Sequence, residues 1–167
     1  MMAAGFMVVC VVRFAGTTIW LALCWFCAVG ALLTVVDLEE RRLPTRMVGA
    51  LAGGGVALLT VSAATENDWI RLVSAMAAAI ATFSVAMVVQ LAAPGHTGGG
   101  DTKLYAALAL YLGWWGWAGL IMGLLCATAL TALVALVVLV RNGGQFGTKF
   151  PAGPSLILGA VIGMLIA

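Results

Sequence analysis

Apolar residues along this chain come in long unbroken runs, without the i, i+3, i+4 stripe of a soluble helix or the alternation of a half-buried strand. Charges, glycines and prolines divide the runs into six segments, at 17 to 36, 47 to 64, 69 to 92, 104 to 113, 117 to 140 and 151 to 167. Runs such as LIMGLLCATALTALVALVVLV are apolar on every face of a helix. A transmembrane β-barrel would instead alternate apolar and polar residues, so strands are excluded. About 20 apolar residues cross the hydrocarbon core of a bilayer as a helix. The pattern therefore predicts an all-α, polytopic membrane protein, a bundle of about six transmembrane helices in which the fourth and sixth are short.

Composition removes the remaining alternatives. The 167 residues are 64% hydrophobic and only 8% charged, with a mean hydropathy of +1.17, more apolar matter than a soluble core and its polar shell use. A single membrane-embedded domain over residues 1–167 is expected, with the lipid bilayer as a partner and no nucleic acid. Residues 1–14 form an N-terminal extension of open status: MMAAGFMVVCVV resembles the apolar part of a signal peptide, but its charge, Arg13, follows the run instead of preceding it.

The connections are DLEERRLPTR, TEND, APGHTGGGDTK, GWWG and RNGGQFGTK. Arg41, Arg42, Arg46, Lys103, Arg141 and Lys149 fall in the first, third and fifth of them, leaving Arg71 and Arg13 opposite. The positive-inside rule makes those three connections cytoplasmic. Trp114, Trp115 and Trp117 are then expected at the other interface, half in lipid. Glu66 and Asp68 on that face are read as solvating the TEND turn, Glu39 and Glu40 as a solvated face, and His96 as a loop residue.

Two acids stand out from this background. Asp37 ends the first segment and Asp101 precedes the fourth, so alternation brings both to the cytoplasmic boundary. An ionisable residue flush with a transmembrane segment is costly, which makes function the default reading and an interfacial helix stop the competing one. Asp101 in GGGDTKL also reads as an N-cap, its side chain accepting from the free amides of the first turn, a role compatible with catalysis. Gly98, Gly99 and Gly100 disfavour helix and mark either an exposed turn or a loop where bare backbone approaches a second group. Cys10, Cys24, Cys27 and Cys126 all lie in apolar runs, and CWFC at 24 to 27 lacks a second pair or a nearby His or carboxylate, so packing is expected and no metal or cofactor.

With these residues in view, the sequence resembles the prepilin peptidases, the type IV leader peptidase family of GxGD intramembrane aspartic proteases. DLEERRLP at 37 to 44 is similar to the family's aspartate motif, and GGGDTK at 98 to 103 to its GxGD motif with the following Lys. FPAGPSLILGA at 150 to 160 is similar to its Pro-and-Gly motif before the last helix. The resemblance implies catalytic aspartates at Asp37 and Asp101, with Gly98, Gly99, Gly100 and Lys103 as loop or substrate-binding residues. It implies removal of the short basic leader of a type IV or Flp-like prepilin at the cytoplasmic side of a bacterial inner membrane. Larger members carry a cytoplasmic insert with paired CxxC motifs and also methylate the new N-terminus. Here DLEERRLPTR is the whole first connection, so no N-methylation is expected and the compact form looks most like the Flp/Tad branch.

Two carboxylates sharing a site hold one proton between them, which leaves one as base toward water and the other as acid toward the carbonyl oxygen. On helix-terminus charge alone, Asp101 at an N-terminus is the expected base and Asp37 at a C-terminus the expected acid. Two rival classes remain. One is a GxGD protease of the presenilin or signal peptide peptidase kind, which requires a longer chain and a Tyr before the first Asp, where this sequence has Val36. The other is a non-enzymatic helical protein such as a small transporter using the acids as an ion or proton path. Carboxylates of a proton path are usually buried within spans, and placement of both at one edge favours the peptidase.

Overall fold

Helix is the one way an isolated apolar segment satisfies its own backbone in lipid, and every described segment takes it. The structure, a computed structural model, describes residues 17–40, 44–92, 99–141 and 152–166. The readings made for residues 1–14, Arg41, Arg42, His96, Gly98 and Lys149 lie outside these residues. The helices are α1 (Ile19–Glu40), α2 (Thr45–Glu66), α3 (Trp69–Ala92), α4 (Gly99–Leu112), α5 (Gly116–Arg141) and α6 (Gly153–Ile166), with a 3-10 turn at Gly113–Trp115 between α4 and α5. The protein is all-α and polytopic, and the six segments read from the sequence each correspond to one helix.

Helix boundaries follow local chemistry. Pro44, extended at φ −68° and ψ 122°, precedes α2 and accepts from the Met47 amide at 3.0 Å. Asn67 closes α2 in the left-handed conformation at φ 55°. Asp68 then opens α3 by accepting from the Arg71 amide at 3.4 Å and pairing with the Arg71 guanidinium at 2.9 Å. Glu66 does more than solvate the turn, as it was expected to. Its carboxylate accepts from the Thr18 amide at 2.8 Å and the Thr18 hydroxyl at 3.1 Å, tying the start of α1 to the end of α2.

Four helical stretches are long and apolar enough to cross a membrane: α1, α2, α3 and the 43-residue run Gly99–Arg141. As one rod that run would measure about 65 Å, twice the thickness of a hydrocarbon core. Gly116 divides it. At φ 80° and ψ −172° its backbone lies in a region nearly reserved for glycine, where a side chain costs about 1–3 kcal/mol. The 14 residues of α4 reach only about 21 Å. They suffice because α4 is the centre of the bundle, packed by α2, α3, α5 and α6. Leu104 and all residues from Ala107 to Leu112 are buried. α3 is the opposite case: Ile70, Ile80, Val85, Val88 and Leu91 are exposed along an outer face suited to lipid.

One interfacial expectation is corrected. Trp117 is exposed, but Trp114 is only 2% exposed. The 3-10 turn packs against α3 and rotates that indole inward, so the tryptophans do not form a common belt.

Because the helices are apolar on all sides, small residues and a few hydrogen bonds choose the contacts. On α2, Gly55 leaves room for Tyr111 of α4, whose hydroxyl donates to the Leu51 carbonyl at 2.9 Å. Phe26 of α1 meets the same ring edge to face, with centroids 4.9 Å apart. α5 and α6 run antiparallel with Gly159 against the backbone of Ala127 and Gly163 against that of Gly123, spaced four residues apart on both helices. Cys24 and Cys27 form no disulfide, and the Trp25 indole between them donates to the Ala50 carbonyl at 3.2 Å. CWFC thus serves the α1–α2 packing.

Candidate active site

One end of the bundle gathers the C-termini of α1, α3 and α5 and the N-termini of α2, α4 and α6. Polar contacts between neighbouring helices define it. Lys103 of α4 donates to the Thr45 hydroxyl of α2 at 3.3 Å, and Thr102 donates to the Gln90 amide oxygen of α3 at 2.7 Å. Thr131 of α5 and Ser155 of α6 share a hydrogen bond at 3.0 Å. The Gly153 amide, at the first residue of α6, donates to Asp37 Oδ2 of α1 at 2.9 Å. Asp37 and Asp101 therefore occupy the same end, on α1 and α4, both of which pack against α2 and α6.

The surroundings of the two carboxylates differ. Asp37 lies one turn inside the end of α1 and is only 4% exposed. Buried carboxylates need hydrogen-bond donors, and the free amides at the start of α6 supply one. Asp101 is half-buried in the first turn of α4. It sits inside the helix, two residues after its start, and not at the capping position expected from the sequence. The first-turn amides and the positive end of the α4 dipole still lie beside it.

Gly99 and Gly100 are likewise helical, the first two residues of α4, where a turn or open loop was expected. Helix packing overrides their weak propensity: Thr102 below them is buried and anchored to Gln90. Gly98 lies outside the described residues. Lys103 is exposed and reaches sideways to Thr45. Among the described residues no three His, Cys, Asp or Glu side chains gather as a metal would require.

Two residues at this end escaped the sequence reading. Gln90 was hidden in the apolar run VVQLAAPG, although an amide in a membrane helix is itself a signal. Gly153 was noted only within FPAGPSLILGA. A glycine with Pro151 two residues before it and Pro154 directly after it marks a backbone that something approaches closely.

Charge completes the picture. Arg46, Lys103 and Arg141 stand near helix ends on the Asp37 and Asp101 side, and Arg71 at the other. This is a polytopic helical membrane protein with two carboxylates on one rim, one of them sealed from solvent and held by a helix terminus. The model of the type IV leader peptidase family matches residues 21–140, which include both aspartates, and the chain belongs to that family of proteases. No curated protein and no solved structure matches the chain.

Proposed function

We propose that the protein is an aspartic endopeptidase that removes the short basic leader of a type IV or Flp-like prepilin at the cytoplasmic face of a bacterial inner membrane. Asp37 and Asp101 are its catalytic pair, within a single membrane-embedded peptidase domain. The observation that carries this reading is the placement of both acids at one end of the bundle, with Asp37 buried there. Burying a carboxylate beside a membrane span is expensive, and chemistry on an arriving substrate is a reason to retain it. A proton path would call for carboxylates distributed through the depth of the bundle, and these two share one rim.

In the proposed reaction one carboxylate takes a proton from water while the other gives its proton to the scissile carbonyl oxygen. Water oxygen bonds to the carbonyl carbon, yielding a tetrahedral diol. Proton transfer to the leaving nitrogen then accompanies cleavage of the carbon–nitrogen bond and releases the leader carboxylate and the new amine. Helix-terminus charge does not assign the two roles, since α6 brings an N-terminus to Asp37 as α4 does to Asp101. The pair is therefore treated as one titrating unit. With only residues 41–44 joining α1 to α2, there is no insert of the kind that accompanies N-methylation in larger members, and cleavage alone is proposed.

The test is co-expression with a precursor carrying a basic leader ahead of an apolar helix. Mass spectrometry is expected to show the leader lost and the new N-terminus unmethylated. Folded protein in the membrane beside an intact precursor overturns the proposal. Orientation is checked separately. A cysteine at Asn67 is expected to react with a membrane-impermeant thiol reagent from outside the cell, and one at Glu40 only after lysis. The reverse pattern would put the site on the wrong face.

A further inference from the structure

Gly153 has a geometry that packing alone does not require. Its amide donates to Asp37 Oδ2 at 2.9 Å across a separation of 116 residues, in a buried setting. A Cβ on residue 153 would stand 2.8 Å from that same oxygen and 3.3 Å from the carboxylate carbon. The first approach is closer than a side-chain carbon stands and the second is tight, and the carboxylate met is itself only 4% exposed, with little room to move aside. Glycine thus lets α6 bring its first amide onto Asp37 without displacing the carboxylate.

The rest of α6 is fixed so that the amide cannot drift. The Ser155 hydroxyl donates to the Ala152 carbonyl at 2.8 Å and is bonded to Thr131 of α5. One and two turns beyond it, Gly159 and Gly163 seat α6 directly on the α5 backbone. A small-residue seam of this kind allows little sliding, because interiors are close-packed. The position of Oδ2 is therefore set by a chain of contacts running from α5 through α6 to Gly153.

We infer that Gly153 is a positioning residue of the peptidase: its amide and its bare Cα hold the Asp37 carboxylate in the orientation that cleavage uses. The inference rests on the proposed role of Asp37. It also assigns a purpose to the PAGP stretch, which lies beyond the residues matched by the family. Asp37 points where the α6 N-terminus directs it, and a methyl group at 153 turns it away.

The experiment is a double-mutant cycle on the full chain in detergent micelles, read by thermal unfolding and by leader removal. Gly153→Ala is expected to lower the melting temperature of the parent by several degrees but to leave Asp37→Ala nearly unaffected, since the atoms that the new methyl meets are then gone. In the otherwise unaltered protein the same substitution is expected to lower kcat about 10- to 100-fold with KM within about threefold, the signature of a misplaced catalytic group. Gly49→Ala, where nothing lies within 4 Å of the added carbon, serves as the control: it should leave leader removal unchanged and, by replacing a glycine inside a helix, raise the melting temperature slightly instead of lowering it. Equal destabilisation by Gly153→Ala in both backgrounds, or a change confined to KM, overturns the inference. The thermal cycle needs no activity, so its success beside an inactive parent would sink the proposed function and leave the contact standing.

Discussion

Asp37→Asn and Asp101→Asn are each expected to reduce leader removal by about 10²- to 10⁴-fold, the range for losing a positioned general acid or base. The substitution is nearly isosteric, and at position 37 the amide oxygen of Asn can still accept from the Gly153 amide. Folding should therefore survive, and melting temperatures close to the parent are expected for both variants. The double variant is expected to be no slower than the slower single one, because two groups acting as a unit do not contribute additively. Measuring all three against one precursor distinguishes a dyad from two independent acids. Multiplied losses in the double variant would exclude a shared proton, and wild-type rates in either single variant would remove that residue from the chemistry.

The second large effect is structural. Gly159→Leu is expected to separate α5 from α6, because even the Cβ would overlap the Ala127 backbone and no rotamer of a leucine avoids it. Forcing bulk into a packed interface typically costs about 1–3 kcal/mol, and a backbone-to-backbone contact belongs at or above the top of that range. A native protein has only about 5–15 kcal/mol in hand, so the variant should be recovered poorly from membranes and unfold well below the parent temperature. Gly53→Leu is the comparison, since that glycine faces open space. If the two variants melt alike, the α5–α6 seam does not hold the bundle together. Any Gly159→Leu that is recovered should also cleave slowly, because α6 carries Gly153 to Asp37.

Much of this architecture was legible in the sequence. Runs such as those of α1, α3 and α5 admit only a membrane helix, whatever they pack against. The glycines and tryptophans of GWWG marked the break that Gly116 makes, and alternation alone brought Asp37 and Asp101 to one side. Periodicity failed where it carries no information. On helices apolar all round, nothing in the pattern says which face meets protein, so Trp114 was placed at an interface when it is in the core. Glycine propensity was outweighed at Gly99 and Gly100, where Thr102 and Gln90 hold the first turn of α4 in place. Glu66, which resembled a solvated turn residue, turned out to anchor Thr18.

The sequence by itself determined that this is a polytopic helical protein with two acids at one membrane rim, because hydrocarbon thickness and backbone hydrogen bonding permit little else for such segments. Only the tertiary structure decided that α4, the shortest early helix, lies at the centre, and that α6 returns from the far end of the chain to place an amide on Asp37. Contacts of that kind depend on where a side chain is missing, as at Gly153, Gly159 and Gly163. Local preference cannot register them, because the partner lies many residues away and appears only when the helices close.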